Sequence, residues 1–172
     1  MSESVVLTIV CDDRPGIVQT LSRVLEDHDG NWTESSMLSL AGKFAGILKA
    51  SVPEHRVDDF LNGLVTLESQ GLHIVAQRSA DRQQSAEVRE VNLNLVGQDR
   101  PGIVNDITEI FCKHEVNVHE LDTECQSASM SGETLFLAKV KMGVPAETSL
   151  DALRADLENL ANELMVDIQL DH

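Results

Sequence analysis

The hexapeptide Asp13-Arg14-Pro15-Gly16-Ile17-Val18 occurs a second time, unchanged, as Asp99-Arg100-Pro101-Gly102-Ile103-Val104. The two copies are 86 residues apart (99 − 13). Each copy follows an apolar alternating run and precedes a run with helical periodicity, which places the hexapeptide where a strand turns into a helix. Six identical residues that include proline and glycine are improbable by chance. They therefore indicate an internal repeat and two domains of about 80 residues.

The proline and the glycine of the hexapeptide support different predictions. Pro15 suits the first position of a helix, because its missing N–H is not needed there and its fixed φ is already helical. Gly16 then falls inside the helix, where glycine costs roughly 1 kcal/mol relative to alanine. We interpret this glycine as a means of access, since without a Cβ another backbone or a small anion can approach the first-turn N–H groups.

Both halves of the chain show the same order of elements: strand, helix, strand, strand, helix, strand. The first half places them at residues 5–11, 15–28, 31–38, 44–52, 55–70 and 72–76, and the second at 91–96, 101–114, 117–123, 135–142, 150–164 and 166–170. This order is that of the ferredoxin-like split βαβ unit. The predicted fold class is α+β, with two tandem βαββαβ domains whose antiparallel sheets carry helices on one face.

The domain boundaries follow from composition. A polar stretch without apolar periodicity predicts a linker at residues 79–88, between a first domain at 1–78 and a second at 89–172. A small polar loop is expected at 126–133, inside the second hairpin, which is six residues longer than the first. Its serines have no histidine or acid placed with them by any motif, so a catalytic role for them is not favoured.

The composition excludes several classes of protein. The formal net charge is −16, and aromatic residues make up only 3%. Binding to nucleic acid needs clustered lysine and arginine or base-stacking aromatics, so direct contact with nucleic acid is not expected. The three cysteines form no C-x-x-C pair, and no apolar run reaches the ~18 residues of a membrane span, which favours a cytoplasmic location.

Two further residue types recur with the period. His28 and His114 both end the helix after the hexapeptide, and a histidine at a helix terminus explains them better than a metal site or proton relay. Asn31 and Asn117 begin the next strand. An asparagine there either tolerates a left-handed exit from the helix or offers its amide to a ligand, and both interpretations stay open.

An enzyme is the main alternative from another class. Cys11 beside Asp12 and Asp13, or His119 near Glu120 and Asp122, could be imagined as a catalytic site. Neither set matches a nucleophile–base or metal-ligand spacing, and neither recurs in the other half. The residues thus indicate neither a metal site nor a catalytic one, and they imply no cofactor.

The order of elements, the hexapeptide and the asparagine together resemble the ACT domain, a module that senses small molecules. Two such domains spanning the whole chain resemble the glycine cleavage system transcriptional repressor family. Formyltetrahydrofolate deformylases and uridylyl-removing enzymes carry similar segments beside catalytic domains, and we expect no such catalytic domain here. The resemblance implies a regulator that binds an amino acid at a domain–domain interface and acts on a DNA-binding activator by protein contact.

The resemblance also implies a set of ligand-binding positions. They comprise the start of each hexapeptide and the two asparagines: Asp13, Arg14, Pro15, Gly16, Ile17 and Asn31 in the first half, and Asp99, Arg100, Pro101, Gly102, Ile103 and Asn117 in the second. The expected ligand is a small amino acid, with glycine as one candidate. Trp32 stands where the second half has Val118, which leaves open whether both halves bind. A regulatory subunit of a metabolic enzyme is the alternative function, and association of two copies is also open.

Overall fold

The computed structural model describes residues 1–79, 87–127 and 132–171. The chain divides into two compact units, residues 1–83 and 84–172. The linker predicted at 79–88 falls mainly on residues 80–86, which lie outside the described residues, so the predicted domain boundaries stay a prediction. The same holds for residues 128–131 of the loop expected at 126–133.

Unit 1 contains one four-stranded antiparallel sheet with strand order β2-β3-β1-β4. Its elements in chain order are β1 (Ser2–Asp12), α1 (Ile17–Asp27), β2 (Asn31–Leu40), β3 (Lys43–Pro53), α2 (Val57–Val65) and β4 (His73–Ser79). Short 3₁₀ helices flank α2 on both sides, at Glu54–Arg56 and Thr66–Gln70. The helix predicted over residues 55–70 is therefore three consecutive pieces, because its two ends wind more tightly than an α-helix.

Unit 2 repeats this architecture with strand order β6-β7-β5-β8. Its elements are β5 (Val88–Gln98), α3 (Ile103–Lys113), β6 (Asn117–Ser127), β7 (Thr134–Pro145), α4 (Leu150–Leu164) and β8 (Val166–Asp171). The α4 helix is capped by Ser149, whose Oγ accepts a hydrogen bond from the Ala152 N–H at 3.2 Å. The predicted fold class of two tandem ferredoxin-like βαββαβ domains is confirmed.

The core of each unit lies between the sheet and its two helices. Alternate residues of β1 are buried on the helix side, among them Val5, Leu7 and Ile9, and they pack with Leu21 of α1 and Phe60 of α2. Unit 2 has an equivalent core. Within each unit the two helices cover one face of the sheet, and the strand register determines which side chains lie on the opposite face.

The start of α1 differs from the prediction. The helix begins at Ile17, and Gly16 is the residue before it, with φ 93° and ψ 0°. Gly102 before α3 has the same left-handed backbone, at φ 92° and ψ −7°. The inference that these glycines lie inside a helix was wrong, because a left-handed residue cannot belong to a right-handed helix. Their backbone conformation already gives a structural reason for glycine.

Candidate functional site

The first hexapeptide forms a loop, here called loop 1 (residues 13–16), that links β1 to α1. The Asp13 N–H donates to the Gly42 carbonyl at 2.9 Å, and the Asp13 carboxylate accepts from the Ser39 hydroxyl at 2.6 Å. The Arg14 guanidinium donates to the Gln70 carbonyl, at the end of the 3₁₀ helix after α2. Loop 1 is thus fixed by segments distant in sequence, one on each side.

Loop 2 (residues 99–102) is built on the same plan. The Asp99 N–H donates to the Thr134 carbonyl at 2.9 Å. Cys125 occupies the position of Ser39 and interacts with Asp99 through its thiol; desolvation and then the Asp99 carboxylate raise the pKa of Cys125. The side chains on β2 and β6 that hold these loops were absent from the predicted set, although the 86-residue period relates Ser39 to Cys125.

The two helix starts differ in charge. In α1 neither an acidic residue nor a side-chain cap lies at the first turn, so the N–H groups there have no side-chain partner among the described residues. In α3 the first turn contains Asp106, which accepts from the Arg100 guanidinium at 2.6 Å. The helix start in unit 2 therefore carries its own carboxylate, whereas the one in unit 1 does not.

An open depression of about 480 Å³ lies at loop 1 and the first turns of α1. Its lining includes the residues Arg14, Gly16, Thr20 and Arg23. Among the described residues, Arg23 makes no ion pair, and its counterpart one period later is Glu109. Arg23 was not among the predicted site residues. A comparison of equivalent positions in the two halves, which shows arginine at 23 and glutamate at 109, could have identified Arg23 from the sequence.

The two asparagines lie far from the loops within each unit. Asn31 pairs with Ser51, which pairs with Ser4 of β1, whereas loop 1 follows Asp12 at the other end of that strand. The eight residues of extended strand from Ser4 to Asp12 separate the position of Asn31 from that of loop 1 by about 26 Å along the sheet. The structure thus brings Asp13, Arg14, Pro15, Gly16 and Ile17 together at one end of α1 and leaves Asn31 at the other. Asn117 has the corresponding position in unit 2.

The paired histidines hold helices together. His28 Nδ1 lies 2.7 Å from the Val24 carbonyl, and its ring meets Phe60 edge-on with the ring centroids 5.8 Å apart. His114 Nε2 lies 2.8 Å from the Asp156 carboxylate of α4. Hydrogen bonds from Lys113 and then His114 lower the pKa of Asp156. Both positions have structural partners in the second helix of their unit.

The two sets of residues considered for catalysis lie in unit 1 at the end of β1 and in unit 2 on β6. Cys11 is buried, and desolvation raises the pKa of its thiol, which disfavours the thiolate that a nucleophile requires. His119 lies at a bulge of β6, over Gly143, and the hydrogen bond from Lys141 lowers the pKa of Glu120. Within residues 1–79, 87–127 and 132–171, no three His, Cys, Asp or Glu side chains are placed to hold a metal ion.

This fold and the repeated strand–loop–helix define the class of the protein as a tandem pair of small ferredoxin-like βαββαβ modules. The profile of the ACT domain family matches residues 3–77 and 91–171, so the chain belongs to the ACT domain family as a tandem pair. In the part of the chain that the structure describes, no helix is long and apolar enough to span a bilayer.

Similar proteins share this tandem arrangement. The glycine cleavage system transcriptional repressor of Escherichia coli is 24% identical over 165 residues, covering 95% of this chain and 84% of that protein. A crystal structure of an unknown protein from Galdieria sulphuraria is 29% identical, with a TM-score of 0.89 over 99% of this chain and 98% of that one. Another, attributed to a glycine cleavage system transcriptional repressor, is 19% identical, with a TM-score of 0.70 over 99% and 97%. The chain is accordingly a regulatory ACT protein.

Proposed function

We propose that this protein senses a small amino acid and regulates transcription by contacting a DNA-binding activator, without chemistry of its own. The homology to a transcriptional repressor over 95% of the chain supports a role in transcription. The net charge of −16 favours contact with a protein over contact with DNA. The alternative, a regulatory subunit of a metabolic enzyme, shares the amino-acid sensing and differs only in the partner.

The amino acid binds at loop 1 in this proposal, and the α1 start supplies the observation that carries it. Its first-turn N–H groups have no side-chain cap, and the positive end of the helix dipole favours a carboxylate there. Arg14 and Arg23 line the same depression. Asp13, whose carboxylate is held by Ser39, is the group that would receive the ammonium.

Loop 2 is the weaker carboxylate site in this proposal. Asp106 in the first turn of α3 would repel a bound carboxylate, and it already engages Arg100 at 2.6 Å. Glu109 adds a second negative charge where unit 1 has Arg23. We therefore assign Asp99, Arg100, Pro101, Gly102 and Ile103 a structural role in the loop, and we leave Asn31 and Asn117 outside the site.

Titration calorimetry with a panel of amino acids, glycine included, tests the sensing step. Arg23→Gln should weaken binding about 10- to 150-fold, the equivalent of one charged hydrogen bond of about 1.5–3 kcal/mol. Glu109→Gln, the matched change in unit 2, should leave the affinity unchanged. If no amino acid binds the wild type, the proposal of amino-acid sensing is wrong. If Arg23→Gln binds the amino acid with normal affinity, the assignment of the site to loop 1 is wrong.

A separate experiment tests the transcriptional role. Deleting the gene in its host should raise the transcripts of the glycine cleavage genes, and restoring the gene should lower them again. A variant with Arg23→Gln should restore repression less completely when the amino acid is supplied. Unchanged transcripts in the deletion strain would favour the regulatory-subunit alternative.

A further inference from the structure

The unit 2 sheet carries charged side chains on the face opposite its helices, here called the charged face. Its carboxylates lie on the two edge strands: Glu120, Asp122 and Glu124 on β6, and Asp167 and Asp171 on β8. Its two cations, Lys139 and Lys141, lie on β7, the strand beside β6. All seven residues are exposed. The charged face therefore has a negative edge on each side and a positive interior.

Most carboxylates of the charged face have no cation as a partner among the described residues. Lys141 forms an ion pair with Glu120 at 2.7 Å. In the ranges that the structure describes, the other four carboxylates form no ion pair, and neither does Lys139. Alternate residues of a strand lie about 7 Å apart on the same face, so Glu120, Asp122 and Glu124 repel one another. Positive charge supplied from outside the chain would relieve this repulsion.

Unit 1 shows that the fold does not require these charges. The strand register gives the positions equivalent to the five carboxylates: Glu34, Ser36 and Leu38 on β2, and His73 and Gln77 on β4. Only one of these five residues is a carboxylate. A cost in stability that the fold does not require indicates that the carboxylates of unit 2 serve a function.

Protection of the sheet edges against unwanted strand pairing explains the presence of charge on β6 and β8. It does not explain the sign, because lysine protects an edge at least as well as a carboxylate. The sign extends over the whole of unit 2. Residues 84–172 contain 17 acidic and six basic residues, a net charge of −11, whereas residues 1–83 contain 12 and seven, a net charge of −5. This imbalance favours attraction of a positive partner over edge protection.

The arrangement of the charges restricts what can bind to the charged face. Nucleic acid is excluded, because its phosphates would meet the negative edges. A second copy of the same face is disfavoured, because both of its edges are negative and like charges would meet. An open depression of about 490 Å³, whose lining includes Asn92, Lys139, Lys141 and Asp171, has room for the protruding side chains of a protein.

We propose that the charged face of unit 2 binds a basic surface of a protein partner. Positive side chains of the partner would meet the carboxylates on β6 and β8. The identity of this partner as the DNA-binding activator rests on the proposed function, and proteins that bind DNA carry basic surfaces of this kind. In this arrangement unit 1 senses the amino acid and unit 2 contacts the activator.

Biolayer interferometry with the full chain and the purified activator of the host's glycine cleavage genes tests this contact. Asp122→Lys and, separately, Asp167→Lys reverse one charge on each edge of the charged face. Each should raise the Kd at least about tenfold, mainly through slower association. Glu163→Lys is the matched control, because it changes the net charge equally at an exposed position of α4, on the helix side of the sheet. Asp122→Ser introduces the residue that unit 1 has at the equivalent position and should weaken binding less than Asp122→Lys.

Far-UV circular dichroism and thermal unfolding establish that each variant is folded, and Asp122→Ser decides the question if the lysine variants are not. The expected result is a wild type whose affinity for the activator falls as salt rises from about 50 to about 300 mM. Both edge variants should bind more weakly, and Glu163→Lys should bind as the wild type does.

Three other results would overturn the proposal, each for a different reason. Equal weakening by Glu163→Lys would assign the effect to net charge and not to the charged face. Edge variants that bind the activator normally but aggregate would leave edge protection as the role of the carboxylates, with the proposed function intact. A wild type that does not bind the activator at any salt concentration would contradict the transcriptional contact in the proposed function itself.

Discussion

Replacing Gly16 by alanine distinguishes a position inside a helix from a left-handed position before it, because the two predict opposite changes in stability. If Gly16 were inside a helix, alanine would stabilise the protein by roughly 1 kcal/mol. The structure instead places Gly16 before the helix at φ 93°. An L-residue held in a left-handed conformation costs about 1–2 kcal/mol, so Gly16→Ala should destabilise unit 1 by that amount.

The surroundings of Gly16 make the magnitude interpretable. A Cβ added there would meet no atom of the described part of the chain within 4 Å, so we expect the loss of stability to come from the backbone conformation and not from steric overlap. Asparagine tolerates the left-handed conformation better than alanine, and Gly16→Asn should therefore cost less. For a unit of about 80 residues, 1 kcal/mol corresponds to a fall in Tm of about 4–8 °C.

Thermal unfolding followed by tryptophan fluorescence measures the change in the Tm of unit 1. Trp32 is the single tryptophan of the chain and packs against the core of unit 1. The expected order of Tm is wild type, then Gly16→Asn, then Gly16→Ala. An alanine variant as stable as the wild type, or more stable, would refute the argument from backbone conformation.

Two further predictions concern charge. The isolated protein should not bind duplex DNA at physiological salt, because a net charge of −16 is repelled by phosphate; salt-sensitive binding tighter than roughly 1 µM in fluorescence anisotropy would contradict this. Asp156→Asn should lower stability at neutral pH by removing the carboxylate that accepts from Lys113 and His114. Because the folded-state pKa of Asp156 is lowered, its stabilisation is present above the usual pKa of an aspartate and disappears as the pH falls through the lowered value. Urea midpoints of wild type and variant should therefore converge in acid, and a constant difference at all pH values would exclude the ion pair as the cause.

The sequence by itself determined the repeat, the order of elements and the ferredoxin-like fold. These features are local: alternation marks a strand with one buried face, and a spacing of three to four marks a helix. The ends of the elements were predicted less well. The first helix was expected to begin at Pro15 but begins at Ile17, because Gly16 has a left-handed backbone that depends on the contacts of loop 1. The sequence also shows that Arg23 is replaced by Glu109 in the second half. This difference indicates a functional position only when the structure places Arg23 in the depression at loop 1.

The tertiary structure alone decided which residues meet. Arg14 reaches the Gln70 carbonyl, 56 residues away, and Ser39 reaches Asp13 across 26. Asn31 lies at the far end of α1 from loop 1, although the two are close in sequence. The exposed side chains of Val10, Leu38, Ile47 and Val75 likewise share one face of the unit 1 sheet only because of the strand register. Strand register depends on long-range pairing across the whole sheet, and local periodicity does not determine it.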